Sequence, residues 1–542
     1  DPDDFGESLI IKYTEGKSSA TNVQELAAGA MSWCASTGGK ANKGDLVKKL
    51  SRLGASGAHV QNAERDLQRT ISSFGYSLRA KIDTIRVHLW DPKDSCIYEA
   101  DLPVIFPDEF ARAVWDLGKD VFEQVYLGTV GKAGATEYWA NARDRCVWYP
   151  PGIPEDCHSG LIPVSIYGDE VHAYRNTDPG AVSVVGWGSD LSFGIEAMLQ
   201  YGLICVYSEY CECESTYGDI MEAVLPRFQY LCDPHAPHPW KDEFRFLLCG
   251  VRGDLKWIND KYKIHNYRLN DFCSRCSCVK NADNVYETIT AFGDQAQHVP
   301  VSNSSFCDSL CIDEWPWPMR YGVHLERFCH DTCHSQLLGS GKCLNGSALT
   351  YLCEQGYFHG GQFGSGVYDV ELQIQLQFAY SDFRSWAKAA GLKIHHPRFT
   401  FNRLASKAIA GKAVTFWLAY RCLEYAERNG STPLDRLVAV CVWSYADLLH
   451  QFDSCPLILS DSQAKQMFKT GQRHLQTWAT LRSLSAAIPS GKIPNRNLWM
   501  ILPKMHHLHH ALQDAVVTRI NPHTQNLLAA ESWIGVIGRM AR

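Results

Sequence analysis

Two apolar runs in this chain end in the same dipeptide, Gly-Asp, and this feature constrains the fold most. One run covers residues 161–169 and ends at Asp169. The other covers residues 244–254 and ends at Asp254. Such runs predict buried strands, and a Gly-Asp step at the end of each would place a carboxylate at an edge of the sheet. Glu531, in an apolar helical stretch near the C-terminus, is the candidate third carboxylate.

Three converging carboxylates would suit phosphoryl transfer with two metal ions. Two divalent cations about 4 Å apart activate the attacking oxygen and stabilise the leaving oxygen. Mg2+ prefers hard oxygen ligands, so Asp and Glu are the expected residue types, whatever their separation in sequence. The alternative is structural, because Gly-Asp after a strand is a common turn and each step taken alone favours that interpretation.

The composition is that of a globular protein with a large core. Hydrophobic residues make up 45% of the 542 residues and charged residues only 20%. No apolar stretch reaches the roughly 20 residues of a membrane span, so we predict no membrane association. The chain starts at Asp1 rather than Met, which predicts a fragment of a longer protein.

The formal net charge of −7 conceals an uneven distribution. Residues 381–542 carry 20 basic and 9 acidic side chains, whereas residues 1–380 carry 32 basic and 50 acidic ones. A basic C-terminal part favours contact with a polyanion such as nucleic acid. An imbalance that only keeps two faces solvated is an equally good interpretation.

Hydrophobic periodicity predicts a mixed sheet with many helices. The predicted helices cover residues 45–53, 60–74, 107–125 and 217–228, and the chain from about residue 378 onward. The predicted strands cover residues 82–89, 96–100, 161–169, 180–187, 203–209 and 244–254. This order of elements is typical of an α/β or α+β fold.

Three groups of motifs carry a family resemblance. They are Pro163-Val164-Ser165-Ile166-Tyr167-Gly168-Asp169; Arg252-Gly253-Asp254-Leu255-Lys256-Trp257 with Lys263-Ile264-His265-Asn266-Tyr267 and Cys273-x-x-Cys276; and Pro503-Lys504-Met505-His506-His507, His510, Arg519-Ile520-Asn521-Pro522 and Glu531-Ser532-Trp533-Ile534-Gly535. Together they resemble DDE/D transposases of the KDZ and CACTA (En/Spm-like) group. The resemblance covers roughly residues 161–280 and 495–542. Where the closing block of the family usually has an acidic pair, this chain has Glu531 followed by Ser532.

The resemblance implies an α/β (α+β) fold with an RNase H-like mixed sheet flanked by helices. It also implies a nuclear DNA transposase in which Asp169, Asp254 and Glu531 ligate Mg2+ or Mn2+ for strand cleavage and strand transfer. The implied partners are the DNA of the transposon ends and of the target, and a homo-oligomer is compatible with this activity. Asp190 is the reserve acid should one of the three fail.

The same resemblance implies a core interrupted by two insertions. The predicted domains are a helical N-terminal remnant (1–80), an α+β lead-in (81–160), the first part of the RNase H-like core (161–270), a Cys/His-rich insertion (271–375), a helical insertion (376–495) and the second part of the core (496–542).

Cysteine and histidine spacing predicts a structural zinc site. The chain has 21 cysteines but no disulfide-module spacing, which favours a reduced compartment and metal binding. Cys273-x-x-Cys276 has the spacing of two tetrahedral zinc ligands. The candidates for the second pair are Cys329, His330, Cys333 and His334. Buried free cysteines are the alternative.

Two other patterns leave a structural and a functional interpretation open. His506, His507, His509 and His510 lack the Glu of a zinc-protease helix, so packing or phosphate contact is favoured over a catalytic metal. Aromatic and basic residues alternate between residues 380 and 420, either to contact nucleic acid or to form an amphipathic core.

Two alternatives to an active transposase also remain. The chain is then either a catalytically dead or domesticated, transposase-derived protein that binds DNA or protein and holds a structural zinc module, or a cellular nuclease on the same core. A divalent-metal-dependent cleavage assay separates the inactive protein from the other two.

Overall fold

The computed structural model describes residues 2–38, 46–76, 78–172, 180–192, 194–264, 269, 271–279, 298–360, 363, 366–399, 408–487 and 498–540, without the side chains of residues 2–4, 330, 486 and 487. The helices are α1 (Pro2–Thr14), α2 (Ala20–Ser36), α3 (Leu46–Leu50), α4 (Leu53–Ser56), α5 (Ala63–Ser73), α6 (Pro107–Trp115), α7 (Lys119–Leu127), α8 (Gly131–Arg145), α9 (Thr216–Cys232), α10 (Leu255–Tyr262), α11 (Asn303–Asp308), α12 (Gly341–Glu354), α13 (Tyr368–Ala389), α14 (Ala408–Ala426), α15 (Pro433–Ser454), α16 (Asp461–Ala487), α17 (Pro503–Thr518) and α18 (Leu528–Met540). A π-helical segment, Cys333–Ser340, precedes α12. The strands are β1 (Asp83–Asp91), β2 (Cys96–Val104), β3 (Leu161–Val171), β4 (Val182–Ser189), β5 (Gly202–Ser208), β6 (Arg245–Gly253) and β7 (Phe328–His330).

The strands form an antiparallel hairpin and one five-stranded mixed sheet. β1 pairs with β2, and the larger sheet has the order β5-β4-β3-β6-β7. β4 and β5 are antiparallel, whereas β3, β6 and β7 run parallel. The first eight residues of β3 and all of β4 are buried, which explains why both strands appear in the sequence as continuous apolar runs. The prediction of a mixed sheet with many helices is confirmed.

Two local differences from the sequence prediction have physical causes. The helix predicted over residues 107–125 is two helices, because α6 ends at Trp115 and Gly118, whose φ of 121° is accessible to glycine, is the N-cap of α7. Strand β7 was not predicted, because its three residues are too few to show a period of two. It aligns with β6 from Val251 opposite Phe328 to Gly253 opposite His330.

Contacts along the chain separate two compact units. The first comprises Asp1–Thr129, Gly168–Arg245 and Ala529–Arg542. The second comprises Val130–Tyr167 and Phe246–Leu528. In the first unit, helices α1 to α5 surround a small core of their own that includes Val23, Leu50 and Leu67, each completely buried.

The second unit has a large core that extends from residue 272 to residue 515. Phe383, Phe399 and Trp417 are at most 1% exposed and pack against one another in it, so their role is structural. Of the other aromatic and basic residues between 380 and 420, Phe401, Arg403 and Lys407 lie outside the described residues. Within the part of the chain that the structure describes, no helix is long and apolar enough to cross a membrane.

Candidate metal sites

Four side chains of the second unit form a cluster with the composition of a structural zinc site. Cys273 and Cys276 follow α10 in the sequence, and His506 and His510 lie on α17. Their candidate ligand atoms all lie within 4.8 Å of one another. Two thiols and two imidazoles are one of the donor sets of structural zinc sites, so these residues fit Zn2+.

The separations inside this cluster match a tetrahedral ion. Each thiol lies beside one imidazole, with Cys276 Sγ 3.2 Å from His506 Nε2 and Cys273 Sγ 3.4 Å from His510 Nε2. The two sulfur atoms are 3.6 Å apart. Zinc bonds of about 2.3 Å to sulfur and about 2.0–2.1 Å to nitrogen would separate two tetrahedral sulfur ligands by roughly 3.8 Å and a sulfur and a nitrogen by roughly 3.5–3.6 Å, so the three separations are within about 0.4 Å of those of a zinc site. The histidines are four residues apart, so one face of α17 presents both.

The protonation of the cluster links zinc binding to pH. The hydrogen bond with Cys276, followed by burial, raises the pKa of the Cys273 thiol to about 12. Burial lowers the pKa of His510 well below its ordinary value and keeps the imidazole neutral, the form that ligates metals. Because Zn2+ binds thiolates, its binding would release protons from the cysteines and would weaken as the pH falls.

The cluster shares only Cys273 and Cys276 with the ligand set that the sequence predicts. Its histidines come from α17, where the sequence favoured packing or phosphate contact. Among the described residues, Cys333 and His334 form a separate group with Asp331, whose carboxylate accepts hydrogen bonds from both backbone N–H groups. These bonds fix the start of the π-helical segment, and among the described residues neither Cys333 nor His334 belongs to the group that contains Cys273.

Of the other two predicted ligands, the structure describes the side chain of Cys329 alone, and it is not grouped with Cys273. Cys329 is buried in β7 and lines a cavity of only about 20 Å³. The side chain of His330 lies outside the described residues. Among the described residues, Cys278 and His298 approach His506 within 4.8 Å and form a second possible ligand group beside the first.

An ion pair ties the same two segments together independently of any metal. Arg275, between the two cysteines, donates two hydrogen bonds to Asp514 of α17, both at 2.7 Å. The side chains are 17% and 29% exposed, so solvent screens the pair only in part. A bidentate geometry of this kind gives the contact direction as well as energy.

We expect Asp514→Asn to destabilise the protein by about 1–3 kcal/mol, because it leaves the largely buried Arg275 without its counter-charge. The measurement is chemical denaturation followed by tryptophan fluorescence. Asp101→Asn is the matched control, because it removes one partner of the exposed Arg86–Asp101 pair and should cost less than about 1 kcal/mol. Equal effects of the two variants would contradict the assigned role of Asp514.

Two of the three predicted catalytic carboxylates lie together in the first unit. Asp169, near the end of β3, and Glu531, in the first turn of α18, have carboxylate oxygens within 4.8 Å of each other. Both side chains are intermediate in exposure. Asp169 Oδ1 also accepts a hydrogen bond from the backbone N–H of Glu170 at 2.7 Å. Two hard oxygen donors at this separation fit a divalent cation.

Asp254 belongs to the second unit, where it also has a structural role. It directly follows β6 and is the N-cap of α10, and its Oδ1 accepts a hydrogen bond from the backbone N–H of Trp257 at 2.6 Å. The structural alternative for this Gly-Asp step was a turn, and the structure has a helix N-cap at this position. An N-cap uses one carboxylate oxygen and leaves the other for further contacts.

A cavity of about 450 Å³ adjoins Asp254 within the second unit. Its lining residues are Asp254, Leu255, Lys256, Asp331, His334, Ser335, Leu502, Pro503, Lys504 and His507. Asp331 is 2% exposed, and its Oδ2 lies 2.6 Å from Nδ1 of His334. Its Oδ1 accepts hydrogen bonds from the backbone N–H groups of Cys333 and Leu527. Asp331 therefore holds the His334 ring in one orientation.

Lys504 brings a largely buried cation to the same cavity. Its Nζ donates a hydrogen bond to the carbonyl oxygen of His334 at 2.9 Å. Burial lowers the pKa of Lys504, while the nearby Asp254 and Asp331 carboxylates act in the opposite direction. The ammonium group therefore belongs to the interior of the site rather than to the solvated surface.

Asp331 and Lys504 are the site residues that sequence reasoning did not single out. Asp331 lies within the Cys/His run Cys329–His334, and Lys504 lies within the motif that begins at Pro503. The sequence patterns predict roles for their neighbours only. An acidic residue three positions before a histidine and directly before a helical segment is the pattern that could have identified Asp331.

No family of known proteins matches the chain, and no curated relative was found.

Proposed function

We propose that this chain is a transposase-like protein that cleaves and transfers DNA strands with Mg2+ or Mn2+ bound to Asp169, Asp254 and Glu531. The observation that carries the proposal is the approach of the Asp169 and Glu531 carboxylates to within 4.8 Å in the first unit. Two carboxylates from widely separated parts of a sequence meet in this way at the cost of mutual repulsion, which a bound cation offsets. Asp254 is included on the motif resemblance and on its place directly after β6.

The five-stranded sheet supports an RNase H-like core. In sequence order its first three strands are β3, β4 and β5, and two strands parallel to β3 follow on the other side of it. Asp169 is near the end of the central strand and Asp254 follows the next strand in the sheet order. In sheets with parallel strands, ligand sites form beyond the carboxyl ends of those strands.

The chemistry required of the side chains is limited. Asp169 and Glu531 would hold and orient the cation through carboxylate oxygens, and Asp254 would do so through the oxygen that does not cap α10. Mg2+ bound there would activate the attacking oxygen and stabilise the leaving oxygen of a phosphodiester. The basic balance of residues 381–542 supports a nucleic-acid substrate, and a nuclear location follows from that substrate.

The zinc cluster has a structural role in this proposal. With two cysteines and two histidines it leaves no open position for a reacting water, as expected of a zinc ion that stabilises the fold. The same cluster also favours the second candidate, a catalytically inactive DNA- or protein-binding protein that retains its zinc module. Cleavage of DNA separates the two candidates, because only the first cleaves it.

Asp254→Asn tests the proposal at the residue with two roles. Asn is as good an N-cap as Asp, so the fold should be retained, but a neutral amide is a poor Mg2+ ligand. We expect wild-type protein to nick duplex DNA in Mg2+, and Asp254→Asn to lose this activity by about 100-fold or more with unchanged thermal stability. Asp254→Ala should lose the activity and also about 1 kcal/mol of stability.

The cleavage assay is run on a labelled duplex with added Mg2+ and in its absence. Wild-type protein that leaves the DNA intact in both conditions, while still holding zinc, would favour the non-catalytic candidate. Full activity in Asp254→Asn would remove this residue from the metal site and leave it a helix cap.

A further inference from the structure

The 450 Å³ cavity of the second unit is lined by the first residues of three helical segments. Leu255 and Lys256 begin α10, His334 and Ser335 lie in the first turn of the π-helical segment, and Pro503 and Lys504 begin α17. The start of a helix presents backbone N–H groups that lack a partner within the helix, and it carries partial positive charge. Three such starts around one cavity favour an anion inside it.

Two of the three helix starts are satisfied by carboxylates of the chain itself. Asp254 accepts a hydrogen bond from the first turn of α10, and Asp331 accepts two from the start of the π-helical segment. The third start differs, because the N-cap of α17 is Leu502, whose side chain has no acceptor atom. The α17 start therefore has no carboxylate of its own at the N-cap, in contrast to the other two.

Lys504 adds a directed positive charge at this third helix start. Its ammonium group has three donors, and the hydrogen bond to the His334 carbonyl uses one of them. Among the described residues, the ammonium group of Lys504 has no ion pair and no second hydrogen bond; the backbone carbonyl of Lys504 accepts one from Gln336 Nε2. The nearby acidic side chains Asp254 and Asp331 are engaged with backbone N–H groups instead.

Gly339 makes room for this arrangement. A Cβ atom at residue 339 would lie 2.3 Å from Cδ of Lys504 and 2.9 Å from the carbonyl oxygen of His334. Any larger residue at position 339 would clash with the aliphatic part of the Lys504 side chain in this conformation. The chain thus keeps a long cationic side chain packed inward, beside a cavity, where a solvated surface would cost less free energy.

We propose that this cavity binds a phosphate group of a nucleic-acid backbone, held by Lys504 and by the N-terminus of α17. The identity of the ligand as nucleic acid rests on the proposed function, whereas the anion site itself rests on the cavity. Leu255, Leu502 and Pro503 give the same cavity an apolar wall against which a sugar can pack. Because Asp254 lines it as well, the phosphate would be bound next to a predicted metal ligand.

The test measures DNA binding as a function of salt, without added Mg2+, so that no cleavage is needed. Fluorescence anisotropy with a labelled duplex gives the dependence of log K on log salt concentration. Lys504→Met should weaken binding and reduce the magnitude of this slope by about 0.9, the loss of one phosphate contact, whereas Lys504→Arg should retain most of it. Lys12→Met, which removes an exposed lysine of the first unit, should leave the slope unchanged.

Two further arms identify the source of the phosphate. The effect of Lys504→Met should be the same for duplexes with and without a 5′-phosphate, and an effect confined to phosphorylated ends would overturn the backbone assignment. Inorganic phosphate should broaden its 31P resonance with wild-type protein and less so with Lys504→Met. Zinc content and thermal stability of each variant confirm that the fold is retained.

The outcomes separate this inference from the proposed function. An unchanged slope in folded Lys504→Met, or a wild-type protein that binds neither DNA nor phosphate, overturns the phosphate site whether or not the protein cleaves DNA. A reduced slope in a protein that never cleaves DNA supports the phosphate site and overturns the proposed catalysis.

Discussion

Cys276→Ser is expected to release the zinc ion and to destabilise the second unit by about 3 kcal/mol or more, the range in which loss of a structural metal falls. For a unit that comprises Val130–Tyr167 and Phe246–Leu528, the shift in melting temperature would be roughly 4–5 °C. Cys276 is 4% exposed and contacts both Cys273 and His506, so serine removes one of four ligands and leaves its partners unsatisfied. Zinc content by mass spectrometry and a thermal melt measure the two effects.

Cys333→Ser is the matched control for this prediction. Cys333 is as deeply buried as Cys276, lies in the same unit and belongs to the ligand set that the sequence predicts. In the structure it groups with Asp331 and His334, so Cys333→Ser should retain zinc. Loss of zinc from Cys333→Ser as well as from Cys276→Ser would support the sequence-based ligand set and contradict the cluster with α17.

Asp169→Asn and Glu531→Gln are each expected to reduce Mg2+-dependent DNA cleavage by about 1,000-fold or more, which corresponds to about 4 kcal/mol of transition-state stabilisation. Each change keeps the side-chain shape and removes a carboxylate charge from a pair whose oxygens lie within 4.8 Å. Single-turnover cleavage of a labelled duplex measures the effect on the chemical step.

The control for the carboxylate pair is Glu196→Gln, which neutralises an exposed carboxylate of the same unit and should leave cleavage unchanged. Both site variants should be at least as stable as wild-type protein in the absence of metal, because each removes the repulsion between two close negative charges. Cleavage within a factor of about three of wild type in either variant would remove that residue from the proposed site.

Much of the sheet could be predicted from the sequence because β3 and β4 are buried on both faces and β5 and β6 are largely apolar. The apolar runs that end at Asp169 and Asp254 correspond to β3 and β6, and the predicted strands around residues 184 and 205 correspond to β4 and β5. Strands buried on both faces appear in the sequence as continuous hydrophobic runs, which can be recognised without a structure. The break at Gly118 could not be predicted, because its neighbours continue the helical period on both sides.

Only half of the candidate zinc site could be predicted from the sequence. Cys276 and His506 are 230 residues apart, and spacing rules detect only pairs that lie within one local segment. Spacing therefore identifies Cys273-x-x-Cys276 as one pair of ligands. It predicts the second pair in the nearest Cys/His run, Cys329–His334, and not on α17. The Arg275–Asp514 pair carries the same long-range information, but charge complementarity between single residues is too common to be recognised in a sequence.

X-ray absorption at the zinc edge of the purified protein tests the central structural claim most directly. We expect one zinc ion per chain with two sulfur ligands at about 2.3 Å and two nitrogen ligands at about 2.0–2.1 Å, as Cys273, Cys276, His506 and His510 require. Three or four sulfur ligands would bring Cys278 or a more distant cysteine into the site and contradict the assignment. Purified protein that contains no zinc and does not bind added zinc would contradict it as well.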